Sequence, residues 1–175
     1  MTLDINTAKA LLAVIKTSDT SRELNRVQVS TGACLVPSLT PSRRYVATNG
    51  HVLLCIERPT TQDEIINASD TETYSLDDLK EYVASKGYSA LTDKTDDYGS
   101  FPDWEKCIPS TSSAVEEVGL SVKYLKMLAD IGRFLKVGDT WKVSFDGQHG
   151  PTTWEPQELG DFTRVSFIIM PVRLD

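Results

Sequence analysis

The sequence runs through one pattern twice, and that repetition limits the folds open to it. Each pass places a helix with one apolar face ahead of a set of strand-like segments. In the first third, Ala8, Leu11, Leu12 and Ile15 fall at i, i+3, i+4 and i+7, which collects them on one helix face, with Asn6 in the N-cap place. Val27 and Val29 then alternate with polar neighbours, residues 33–36 run apolar up to Pro37, and residues 44–47 resume the β-pattern. Asn49-Gly50 offers the left-handed pair of a tight hairpin before the returning strand 51–56. With Leu3, Asp4 and Ile5 as a short extended lead, the order is βαβββ. In the last third, residues 118–120 read as a strand and Ser121 as an N-cap. Tyr124, Met127, Leu128, Ile131 and Leu135 form a helix face, with Gly138 as its stop. Residues 140–145, 152–154 and 162–170 supply the strands, and Asp146-Gly147 a hairpin. The expected class is α+β: one domain with a first βαβββ half at about 1–58, an acidic insertion and linker at about 59–117, and a second half at about 118–175.

The end of the chain, V-S-F-I-I-M-P-V-R-L-D, narrows this further. Four consecutive apolar residues, 167–170, argue a strand covered on both faces or one whose outer face meets a partner. Pro171 has no N–H to give a ladder, so it belongs at a strand end or a sheet edge.

Between the two passes the pattern loosens and acids dominate. Ser75 can cap a helix carrying Leu76, Leu79, Tyr82 and Val83 on one side, with Gly87 as its stop. Asp93, Asp96 and Asp97 lack the spacing of a twelve-residue calcium loop and read as a solvated loop. The proline-bounded stretch 101–109 stands out for its two aromatics, Phe101 and Trp104.

A formal charge of −7 argues against a surface that coats nucleic acid everywhere, though not against a local basic face. Two such faces exist. Lys9 and Lys16 are seven apart on the first helix, and Lys123, Lys126 and Arg133 share an arc of roughly 80° on the last. The same spacing also describes the solvent side of any amphipathic helix. Cys34, Cys55 and Cys107 are odd in number, widely spaced and without a C-x-x-C, so neither a disulfide frame nor a metal site is expected. No basic leader and no long apolar run appear, so the reading is a soluble cytoplasmic protein with no membrane contact.

Three motifs carry a family resemblance. Residues 47–53, A-T-N-G-H-V-L, look like Ala-Thr-Asp-Gly-His-Arg-Leu; residues 101–109, F-P-D-W-E-K-C-I-P, look like Phe-Pro-Asp-Tyr-Arg-Arg-Val-Leu-Pro; residues 169–174, I-M-P-V-R-L, look like Val-Met-Pro-Met-Arg-Leu. In this order, and framed by the two βαβββ outlines, they resemble the β sliding clamp of bacterial DNA polymerase III. The resemblance covers about two-thirds of the chain and implies a clamp fold, with helices lining a ring and sheets outside. In that family six domains encircle duplex DNA, and bacterial chains supply three each. A single-domain version, as a phage or mobile element could encode, would need six copies in a homo-oligomeric ring. The implied function is a processivity factor that binds DNA without sequence preference and tethers a polymerase. Lys9, Lys16, Lys123, Lys126 and Arg133 are then the DNA-facing candidates. No cofactor or metal is implied.

The resemblance also implies an apolar pocket for a short Gln- and Leu-containing clamp-binding peptide. The matching residues are Thr48, Gly50, His51 and Leu53, then Pro102, Lys106 and Cys107, then Ile168, Ile169, Met170, Pro171, Val172, Arg173 and Leu174. Val52 stands where the family has arginine, Asn49 where it has aspartate, and Lys106 where it has arginine. In three-domain chains this pocket lies at a junction between domains. Here it forms across a subunit interface, within one copy, or not at all.

Catalysis is not expected. His51 and Cys55 are four apart on a strand and so stand ~13 Å apart, beyond hydrogen-bond reach. The rival reading keeps the clamp fold without the ring: a module that captures clamp-binding peptides or another protein and never encircles DNA.

Overall fold

The computed structural model of the chain describes residues 3–15, 26–32, 42–60, 71–91, 101, 103–108, 115, 118–147 and 150–170. Helix α1 spans Ile5–Ile15, followed by strands β1 (Arg26–Gly32), β2 (Ser42–Thr48), β3 (Val52–Pro59) and β4 (Thr71–Ser75). Helix α2 (Leu76–Ala84) and a 3₁₀ turn (Trp104–Cys107) come next. Helix α3 (Val122–Leu135) then leads into β5 (Trp141–Phe145), β6 (Thr152–Pro156) and β7 (Arg164–Ile169).

The strands form one seven-stranded sheet in the order β4-β1-β2-β3-β7-β6-β5, with every pairing antiparallel. Its centre is the ladder between β3 and β7, where Leu54 faces Phe167 and Ile56 faces Val165. β7 is therefore a central strand, buried along 165–169, and not the sheet edge that Pro171 left open. Residues 171–175 lie outside the described set.

Period-two alternation sorts the sheet into two faces. Tyr45, Ala47, Val52, Leu54, Ile56, Val165, Phe167 and Ile169 turn inward onto the helices. Val46, Leu53, Cys55 and Ile168 turn outward and are covered by Trp104, Phe101 and Ile108. The aromatic stretch picked out from the sequence is thus the lid on the outer sheet face. Trp104 donates its Nε1 hydrogen to Gln28 at 3.3 Å, and the Arg44 guanidinium stands 5.2 Å from its ring centre.

Several local expectations are corrected. The N-cap of α1 is Asp4, whose Oδ1 accepts from Asn6 N and Thr7 N, each at 3.0 Å; Asn6 is inside the helix. Asp4 also accepts from the Arg58 guanidinium at 2.7 Å, which fastens the helix start to β3. Of the extended lead, Leu3 and Asp4 are coil and Ile5 opens α1, and residues 118–120 hold only an isolated bridge at Gly119. β4 was not expected; it is a strand because β1 pairs with it from Arg26↔Ser75 to Ser30↔Thr71. At the end of α3 the left-handed residue is Lys136, φ 56°, and not Gly138. Ser75 caps α2 as expected: its Oγ accepts from Asp78 N at 3.1 Å while the Asp78 carboxylate accepts from Ser75 N. The aspartates at 93, 96 and 97, together with Cys34, lie outside the described residues.

Candidate functional site

The hairpin between β2 and β3 is built around one buried side chain. Asn49 N donates to Val52 O, and its Oδ1 accepts from His51 N and Val52 N, each at 3.0 Å. Its Nδ2 donates to the Val14 carbonyl at 3.2 Å, in the last turn of α1. Only Gly50, φ 86°, takes the left-handed conformation; Asn49 does not, because its side chain replaces the second half of the expected turn. An aspartate at 49 could accept the two turn bonds but could not donate to Val14. The hydroxyl of Thr48 completes the loop, donating to Val52 O at 2.9 Å and accepting from Gly50 N at 3.2 Å.

The end of β7 comes to this hairpin. Met170 N donates to His51 O at 3.0 Å, carrying the ladder past the strand end. Thr48, Gly50, His51, Val52, Leu53, Ile168 and Met170 together line a cleft of about 210 Å³. Within one copy, then, residues from two of the three expected stretches, the hairpin and the end of β7, border one cleft. Leu53 and Ile168 are buried walls shared with the outer cluster under Trp104, and Met170 stands exposed at the rim.

Not every expected lining residue takes part. Ile169 points the other way, into the helix-facing core. Lys106 does not line the cleft. Its ammonium is exposed and sits 2.7 Å from the Asp103 carboxylate, whose hydrogen bond and charge hold it above the usual lysine range. Cys107 ends the 3₁₀ turn. Pro102, Pro171, Val172, Arg173 and Leu174 lie outside the described residues. Two residues were missed. Val52 lines the cleft, and Tyr124, from the first turn of α3, stacks on His51 with ring centres 6.4 Å apart and planes at 25°. Tyr124 falls in the apolar period of its helix, which hid it; burial pushes its phenol above the ordinary tyrosine value.

The basic candidates divide. Lys123, Lys126 and Arg133 are exposed on α3, where Val122, Lys126, Ala129 and Arg133 follow one another at i, i+4, i+7 and i+11 along the solvent side. Arg133 donates to Asp130 at 3.0 Å and lies 5.3 Å from the Phe134 ring centre. Lys9 is half-buried on α1, which packs against α3; Lys16 lies outside the described residues. His51 and Cys55 do not form a catalytic pair: His51 is exposed in the hairpin, whereas Cys55 is sealed beneath Trp104. Among the described residues no cluster of His, Cys, Asp and Glu could hold a metal ion, and no helix is long and apolar enough to cross a membrane.

Solved structures with this arrangement are bacterial DNA polymerase III β sliding clamps. The protein from Caulobacter crescentus superimposes with a TM-score of 0.69 at 16% identity over 99% of this chain. The chain has the sliding-clamp fold. The Bacillus subtilis clamp gives 0.63 at 14% identity over the whole chain, and the Pseudomonas aeruginosa clamp bound to griselimycin gives 0.63 at 12% over 99%. This chain spans 66%, 64% and 65% of those clamp chains, respectively. No protein-family model matches the sequence, and no curated protein does.

Proposed function

We propose that this protein is a clamp-like, non-enzymatic processivity factor of the cytoplasm: a homo-oligomeric ring that encircles duplex DNA and tethers a polymerase or another DNA-processing protein. The observation that carries the tethering half is the cleft at the hairpin. An apolar trough with a buried floor of Leu53 and Ile168, a mobile-length Met170 at its rim and a stacked His51–Tyr124 pair beside it suits a short peptide with an apolar anchor. The resemblance assigns clamp-binding peptides to His51, Leu53, Ile168 and Met170 among these positions.

The DNA half is supported by α3. A ring that slides must attract phosphates without reading bases, which asks for a thin basic lining on an otherwise acidic molecule. Lys123, Lys126 and Arg133 are exposed along one helix of a chain whose formal charge is −7. With one domain per copy, a ring of the family's size takes six copies.

A second reading is favoured by the cleft's closing within one copy: peptide capture then needs no ring, and the protein is a monomeric binding module. Retention on nicked circular duplex separates the two. A ring is retained and slides off after linearisation, whereas a module is indifferent to topology. Changing Lys123→Glu together with Lys126→Glu should abolish retention while leaving the melting curve in place, and the salt slope of residual DNA binding should fall by about two. Unchanged loading in the double variant would remove α3 from the lining.

A further inference from the structure

Behind the cleft, on the same face of the sheet, stands Trp104. Along that outer face β2 presents Arg44, Val46 and Thr48, and β3 presents Glu57, Cys55 and Leu53, paired as Arg44↔Glu57, Val46↔Cys55 and Thr48↔Leu53. Successive rungs on one face lie about 6.8 Å apart. Thr48 and Leu53, with Ile168 opposite Leu53, form the rung that lines the cleft. The next rung, Gln28↔Val46↔Cys55, lies under the indole of Trp104, and Arg44 and Glu57 bound it on the far side. Leu53 and Ile168, 5% and 2% exposed, belong both to the Trp104 cluster and to the walls of the cleft.

The indole is held from two sides. Its N–H donates to Gln28 Oε1 at 3.3 Å, and the Arg44 guanidinium lies 5.2 Å from its ring centre. Arg44 is in turn fixed by Glu57 at 3.0 Å. Phe101 and Ile108 pack against the same cluster. A leucine or methionine would cover this patch of sheet equally well, but with no polar handle and several rotamers. An indole that is hydrogen-bonded to one strand and stacked under an ion-paired arginine has one position. Close packing passes that position on, so Leu53 and Ile168 cannot withdraw from the cleft toward Cys55.

The size of the cleft makes that restraint matter. It holds about 210 Å³. An apolar cavity of roughly 150 Å³ accepts a benzene ring, and scaling by carbon count gives about 250 Å³ for a fused pair of rings. The cleft therefore has room for one leucine or phenyl side chain and is too small for a naphthyl group. Its floor sets this limit, because the hairpin side is fixed by the bonds of Thr48 and Asn49.

We propose that Trp104 is a positioning residue of the cleft: it holds Leu53 and Ile168 forward, sets the depth of the floor, and so restricts a bound peptide to a single anchor of leucine or phenyl size. Trp104 acts through these two side chains and does not meet the peptide. The inference rests on the peptide-binding part of the function proposed above, and the depth of the floor can be measured without a peptide.

The test compares wild type, Trp104→Phe and Trp104→Ala with two fluorescein-labelled, glutamine-containing pentapeptides that differ only in the anchor, leucine in one and 2-naphthylalanine in the other. By fluorescence anisotropy, wild type should bind the leucine peptide about tenfold or more tightly than the naphthyl peptide. In Trp104→Ala the floor settles back and the order should reverse, with Trp104→Phe between the two. If Trp104→Ala does not fold, Trp104→Leu should move the preference in the same direction by less. A role in stability alone would weaken both peptides in proportion, and an unchanged ratio overturns the assignment. The second measurement is a titration with 2-naphthol, followed by ¹³C-methyl NMR at Met170 on the rim, with Met127, 5% exposed in the core, as the reference. Naphthol should shift the Met170 methyl in Trp104→Ala and leave it in place in wild type; equal shifts in both would overturn the assignment whatever the peptides do. A wild type that binds neither peptide but shows this difference at Met170 removes the peptide-binding reading and leaves the role of Trp104 standing.

Discussion

α1 and α3 occupy equivalent places in a unit that occurs twice, helix followed by three antiparallel strands, yet they live in different surroundings. α1 has no fully exposed residue: Thr7, Ala8, Ala10, Leu11, Val14 and Ile15 are buried, and the rest are partly covered. α3 buries Met127, Leu128, Ile131, Gly132 and Leu135 but leaves Val122, Lys123, Lys126, Ala129 and Arg133 in solvent. The cause is position in the layer. Among the described residues, α1 has a helix on each side, whereas α3 has one helix and one open flank. The first unit therefore encloses its helix, and the second leaves one side of its helix in solvent.

The largest effect should come from testing that asymmetry directly. Leu11→Ala, at the middle of the enclosed helix, should cost about 2–5 kcal/mol, because the walls around it cannot all collapse into the space. Leu125→Ala, on the open flank of α3, should cost about 1 kcal/mol or less. Urea midpoints decide it, and equal losses would mean that the two helices are buried alike and that the flank is not open.

A smaller effect is expected where the enclosed helix meets the hairpin that borders the cleft. Asn49→Asp keeps both acceptors of the turn but removes the donor to Val14 O and buries a charge, which should lower stability by about 1–3 kcal/mol. If the hairpin takes its shape from α1, the peptide binding proposed for the cleft weakens with it; a destabilised protein that binds as before would show that the hairpin stands alone. Calorimetric melting and peptide titration on the same sample separate the outcomes.

How much of this could be read beforehand depended on whether the signal was local. The helices were legible because an apolar period of 3.6 survives whatever packs on it, and β2, β3, β6 and β7 because their branched and aromatic runs are punctuated by Asn49-Gly50 and Gly147. β4 was not legible: T-E-T-Y-S offers Tyr74 as its sole large apolar residue, and its extended form comes from pairing with β1. Lys136 misled because glycine is the usual left-handed residue after a helix, whereas here the helix ends at Leu135, three residues before Gly138. The cleft could be assembled only through the resemblance, since its hairpin and its strand end are joined by the β3–β7 ladder across more than a hundred residues of chain. Tyr124 had no such guide. A residue on a helix's apolar side looks the same in sequence whether a neighbour covers it or not.

The smallest effect concerns alkaline pH and the tyrosines on the enclosed side. Burial raises the pKa of Tyr45 on β2, outweighing the neighbouring Arg43 and Arg58, and raises that of Tyr82 on α2, whose hydroxyl donates to the Leu3 carbonyl. A phenol whose folded pKa lies above its unfolded value ionises first in the unfolded chain. Its contribution to stability is thus complete below about pH 10 and declines as the pH rises from there through the folded value. Stability should be flat between pH 7 and 9 and fall above that range. In Tyr45→Phe the fall should be shallower, because the unfolded chain gains one fewer phenolate. Denaturant titrations at a series of alkaline pH values measure the slope; an identical slope in the variant would place Tyr45 in contact with water and would contradict the closed surroundings of the first unit.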